Sequence, residues 1–199
     1  MANQYNTFQN CSKEVSMLLP LPKYVKLVRE HEELRDGVQV FIKRYQAEEL
    51  LHYGGAHITT ITTQNDKCLL SYTNMMPVYS NKLPRKDDAE QIAMDVMEKV
   101  DQQYASGLTL IRIEKQTRQY KGEGEIVTFP VLWVKMMHDN GSFNWVTIGG
   151  DGQIIEFERE VRWDYMMSRR QTEMWYYDDW VLARMGKGPQ LMPPKEFTE

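Results

Sequence analysis

Hydrophobic and polar positions along this chain follow the two-residue period of strands more often than the longer period of helices. Val38, Val40 and Ile42 alternate with Gln39, Phe41 and Lys43 after an Asp36-Gly37 turn, which predicts a strand. Residues 56–63 are dense in Thr and Ile, and 68–74 follow across Asn65-Asp66-Lys67, so these two arms predict a hairpin. Four further strands are predicted at 108–116, 126–137, 143–148 and 154–161, joined by turns at Gly122-Glu123-Gly124, 138–141 and Asp151-Gly152. These connections are too short for crossover helices, so the pairing is antiparallel. In 154–161, Ile155, Phe157 and Val161 share a face with Arg159, opposite Glu156, Glu158 and Glu160. That pattern predicts a half-buried strand at or near a sheet edge.

The longer period marks four helices. The clearest begins at Asp87, whose spacing to Glu90 matches a capping box, and carries Ala89, Ile92, Ala93, Val96, Met97, Val100 and Tyr104 on one stripe. Its Glu90, Asp95, Glu98, Asp101 and Gln102 are expected to stay wet, and Gly107 to end it. A helix over 22–34 starts at Pro22, and a short one over 46–53 ends at Gly54-Gly55. The last runs from Ser168 to Met185, with Met174, Tyr177, Val181 and Met185 at helical spacing and Gly186 closing it. The tail from Lys187 holds three prolines and is expected to lie extended on the surface.

These elements make an α+β fold, mainly antiparallel sheet with amphipathic helices packed on one face. An N-terminal half (1–80) and a second half (87–199) containing the aromatic helix are the natural divisions, compatible with one compact domain. Helix, turn, strand and hairpin recur in the same order in 22–75 and 87–161. A degenerate α-β-β-β duplication and a chance recurrence of common elements both account for that order.

At 199 residues with 42% hydrophobic and 26% charged positions, the chain can bury a substantial core and is neither disordered nor membrane-spanning in composition. A net charge of −4 argues against nucleic acid as a partner. Two cysteines, Cys11 and Cys68, are too few for a disulfide scaffold and are not spaced for zinc or redox work. With no basic-then-apolar leader at the N-terminus and no apolar run of spanning length, a cytoplasmic location without membrane contact is expected.

Candidate chemistry is sparse. His52 and His57 flank Gly54-Gly55 but lack metal-ligand spacing, and His31 and His138 stand apart. Cys68 opens a strand and reads as core. Gly149-Gly150-Asp151-Gly152 leads into a strand, whereas a phosphate cradle needs a helix N-terminus. Asp178-Asp179 point in different directions on a helix, as adjacent helical residues do. No catalytic residue, metal or cofactor is therefore expected. The unusual feature is aromatic density near the end, interleaved with charge. Trp163, Arg169, Arg170, Trp175, Tyr176, Asp179 and Trp180 form the candidate binding residues, because Trp, Tyr and Arg dominate binding hot spots. Placed around the last helix instead of along one stripe, its aromatic rings predict either burial on two sides or an exposed patch.

Ala89, Ile92, Ala93 and Val96, the Gly107 turn, the strand 130–134 and the run Trp145-Val146-Thr147-Ile148-Gly149-Gly150-Asp151-Gly152-Gln153-Ile154 together resemble a PepSY-like module. The likeness covers under half of the chain. It implies binding to another protein without catalytic residues, and no binding residue carries over from it. The expectation is therefore a non-enzymatic interaction protein whose partner is another protein or a second copy of itself. The alternative is an enzyme or small-ligand binder with a site assembled from scattered loop residues, which a deep pocket with convergent polar groups would favour.

Overall fold

The computed structural model describes Leu19 and residues 21–63, 68–77 and 80–196. Among these residues, eight strands form one antiparallel sheet: β1 (Lys26–Arg35), β2 (Val38–Gln46), β3 (Ile58–Thr63), β4 (Leu69–Asn74), β5 (Leu108–Lys121), β6 (Ile126–His138), β7 (Phe143–Ile148) and β8 (Ile154–Val161). Their spatial order is β1-β2-β3-β4-β8-β7-β6-β5. Two four-stranded meanders thus meet at their last strands, with Tyr72 opposite Phe157 and Thr73 opposite Glu156. A small ribbon, β9 (Trp163–Asp164) with β10 (Arg169–Arg170), follows. Among the described residues, the α-helices are α1 (Lys86–Val100), α2 (Gln102–Ala105) and α3 (Asp178–Arg184). The α+β, mainly antiparallel architecture is present, and its sheet runs unbroken from the N-terminal half into the second half.

Contrary to the expectation of helices packed on one face, the helices lie on different faces of the sheet. Ala89, Ala93, Val96, Met97 and Val100 of α1 pack against Val134, Met136, Val146, Ile148 and Phe157. Trp180 and Val181 of α3, with Met174 and Trp175, pack against Val40, Ile42 and Ile61. Strand alternation puts these two sets on opposite sides of the sheet. The α1 layer lies under the second meander and the C-terminal layer lies over the first. An α-β-β-β repeat lacks its first helix as well, because 22–34 contains strand β1. The reason is the Asp36-Gly37 turn, where both residues have positive φ (49° and 75°), the geometry of a tight hairpin. Arg35 consequently faces Val38, and the preceding charged residues become a strand that, among the described residues, pairs with β2 alone.

The other helix limits also shift. Residues 46–53 do not form a helix, since the Gln46 side chain accepts from the backbone N–H of His52 and donates to its carbonyl (3.1 and 3.0 Å), competing with helical pairing. The Asp87 capping box is not formed: Arg85 is the N-cap, and Asp87 and Asp88 sit in the first turn, where their charge meets unpaired N–H groups. Asp101 is buried, not wet. Its carboxylate caps α2 at Tyr104 N (3.0 Å) and pairs with Arg159 (3.1 Å), whose guanidinium stacks 3.8 Å from the Tyr104 ring centre.

Strand β8 is central, with β4 on one side and β7 on the other, so the edge reading of its charge pattern is wrong. Each of its glutamates meets an arginine: Glu156 with Arg118, Glu158 with Arg35 and Arg170, Glu160 with Arg162. Cys68 is core, as expected, and it is disulfide-bonded. The turn read at Asn65-Asp66-Lys67 and residue Cys11 lie outside the described residues, as does the tail beyond 196. No helix among the described residues is long and apolar enough to cross a membrane.

Candidate functional site

The sheet is rolled, and its concave face forms the site. In a flat sheet the five spacings from β3 to β5 would amount to about 24 Å. Here Gly55, three residues before β3, bridges Lys121 at the end of β5, and Lys121 N donates to Gly54 O at 2.7 Å. Gly54 N in turn donates to Asp178 of α3. One loop therefore joins the far edge of the second meander to the C-terminal layer. Met75, Tyr120, Phe129, Val131 and Ile155 fill the apolar inside of the curl.

Between this floor and the C-terminal segment lies a cleft of about 560 Å³, the size of a small-molecule site. Trp133 of β6 and Trp145 of β7 line it with ring centres 5.9 Å apart. The facing wall comes from Tyr176, Tyr177 and Asp179, with Pro194 and Lys195 at the rim. Arg118 reaches over from β5 and holds both carboxylate oxygens of Glu156 at 2.7 Å, while Thr147 donates to the same carboxylate.

Charges in the cleft are mostly committed to partners. Asp178 takes a bidentate bond from Arg44 (2.6 and 2.9 Å). Arg170 donates to Glu158, to the Thr172 carbonyl and to the Tyr176 hydroxyl (3.0 Å). Burial pushes the Tyr176 hydroxyl well above its ordinary range. Tyr177 is raised to about 12 by burial and then by Asp179, whose carboxylate accepts its hydroxyl proton at 3.1 Å. Burial, and then the nearby Arg118 charge, lowers the Lys195 ammonium, which sits 4.3 Å from the Tyr177 ring centre. His57 is lowered to about 4, first by burial and then by Arg44, so it is neutral at neutral pH. Among the described residues, no group of three His, Cys, Asp or Glu is arranged to hold a metal ion.

The seven residues singled out from sequence separate into groups. Trp163, Arg170, Tyr176 and Asp179 line the cleft. Arg169 lies outside it, paired with Glu196 at 2.6 Å. Trp175 and Trp180 are buried core, their rings edge to face at 4.9 Å, and Trp175 Nε1 donates to Leu34 O. They form no exposed patch, because residues 171–177 run irregularly across the first meander. The helix occupies only Asp178–Arg184, so Trp175 and Tyr176 are freed to point to different sides. Sequence reasoning missed Trp133, Trp145, Arg118, Glu156, His57 and Lys195. A usable signal was the unbroken apolar run 131–134 in β6, since a strand apolar on both faces needs cover on both.

No family model, curated protein or solved structure matches this chain.

Proposed function

We propose that this chain is a non-enzymatic binding protein whose ligand is a small, largely apolar molecule held in the cleft. The observation behind this reading is the cleft itself: a preformed concave site of about 560 Å³ with two indoles on its floor and tyrosines on its wall. This reading favours the small-ligand alternative over a protein-docking aromatic helix, since Trp175 and Trp180 serve the core. Binding is preferred to catalysis because Glu156 and Asp178 are each locked by a bidentate arginine, an arrangement that commits both carboxylates to structural ion pairs.

The test uses the fluorescent aromatic anion 8-anilinonaphthalene-1-sulfonate. The native chain should bind one equivalent saturably, with quenching of Trp133 and Trp145. Gln116→Trp, which places a bulky ring on the half-buried β5 wall, should weaken binding at least tenfold while far-UV circular dichroism stays unchanged. Absence of saturable binding to the folded protein, or binding indifferent to Gln116→Trp, would remove the cleft as a site.

A further inference from the structure

The cleft carries polar atoms that its apolar floor does not require. His57 and Thr73 both line it. Thr59 and Thr73 face each other across β3 and β4, which places their side chains on one surface about 5 Å apart. His57 lies two residues before Thr59, so its ring projects to the same face. His57 Nε2, Thr59 Oγ1 and Thr73 Oγ1 are all buried, and none has a hydrogen-bond partner among the described residues. Three such atoms side by side are uncommon in a native interior, where most buried polar atoms are paired.

The tautomer of His57 follows from its one bond. Nδ1 lies 2.8 Å from the Gly55 carbonyl oxygen, which can only accept, so Nδ1 carries the proton. Burial keeps the ring neutral, and Nε2 is left with a bare lone pair. The group that His57 offers is therefore an acceptor. The neighbouring threonine hydroxyls can each accept or donate, so they tolerate whichever group binds at Nε2.

Building on the small-ligand reading, we infer that the cleft selects an aromatic ligand that presents an O–H or N–H donor to His57 Nε2, with its ring system held against the apolar and aromatic lining of the cleft. A phenol, an indole or an N–H heteroaromatic fits this chemistry. A carboxylate facing Nε2 does not, because two lone pairs would then confront each other in a dry site.

Three biphenyls discriminate the cases by displacement of 8-anilinonaphthalene-1-sulfonate: 4-phenylphenol, which has a donor, and 4-methoxybiphenyl and 4-fluorobiphenyl, which have none. The phenol should bind about tenfold more tightly than either control, the worth of one buried hydrogen bond. His57→Phe should erase the preference while the controls still bind. A second measurement needs no substitution: the ¹⁵N resonance of His57 Nε2 should move upfield on adding the phenol and stay in place with 4-methoxybiphenyl. Equal displacement by all three, or an unmoved resonance with the phenol bound, overturns the donor requirement and leaves the cleft standing. Failure of the fluorescent anion and of every biphenyl to bind overturns the small-ligand reading beneath it.

Discussion

Arg118 on the edge strand β5 grips Glu156 on the central strand β8 through two 2.7 Å bonds, although β6 and β7 lie between their strands. The pair spans the concave face and fixes the curl. Replacing only Arg118 by Met leaves a carboxylate in a mostly buried setting with Thr147 as its remaining partner, a loss of about 3 kcal/mol. Arg118→Met with Glu156→Met should recover most of that stability, because neither charge is then stranded. Urea midpoints of the wild type, both single variants and the double variant measure the coupling; additive losses would mean the pair does not hold the sheet.

Trp175→Ala and Trp180→Ala should each lower stability by about 3–5 kcal/mol, as truncation of buried aromatics does. Their rings share one cluster with Val40, Ile42 and Ile61, so the double variant is expected to be non-additive. Sedimentation at several concentrations should show the same state before and after substitution. A shift in assembly with folding intact would instead mark these rings as an interface.

Val96→Asp places a charge between α1 and the sheet, where Val96 packs in the main core. The expected penalty is several kcal/mol, about 3 or more, against a total of about 5–15 kcal/mol. Thermal melts follow it directly. A variant as stable as the wild type would mean α1 does not seat this face.

His57 is held to about 4 in the folded state from an ordinary 6.5. Between these values the unfolded chain binds a proton that the folded chain does not, so stability rises with pH through this window. The contribution is complete above pH 6.5, is lost as pH falls towards 4, and is of order 3 kcal/mol. His31, lowered to about 4 by burial and then by Arg29, acts in the same direction. His57→Phe should flatten the urea midpoint between pH 4 and 6.5; an unchanged slope would place the titration elsewhere.

Gly150→Ala should destabilise the β7–β8 connection severely. A Cβ there would lie 1.8 Å from the Ser80 carbonyl oxygen, a backbone atom that cannot swing aside. Circular dichroism melts should fall well below those of Gly124→Ala, whose added Cβ meets nothing within 4 Å and whose only strain is its positive φ.

The strands from β2 to β8 were legible because period-two alternation and two-residue turns are local: Asp151-Gly152 adopts left-handed backbone at both positions and reverses the chain wherever the sheet goes. The stripe of α1 was legible for the same reason. Strand β1 was not, since Lys26–Arg35 has no strong period of its own and becomes a strand only because Asp36-Gly37 folds it onto β2. The last helix was overextended because Met174 and Tyr177 satisfy helical spacing whether or not the backbone is helical.

The site divides along the same line. Trp163, Arg170, Tyr176 and Asp179 were visible as residues of binding type, yet composition could not separate them from Trp175 and Trp180, which fill the core. That separation depends on which side of an irregular segment each ring leaves. Glu156, Glu158 and Glu160 read as the wet face of an edge strand because alternation reports only that two faces differ. Only the joining of two meanders at β4 and β8 put those carboxylates inside, where arginines distant in sequence meet them. The cleft arises from sheet curvature, a sum of small twists over eight strands, and no single stretch of sequence carries that sum.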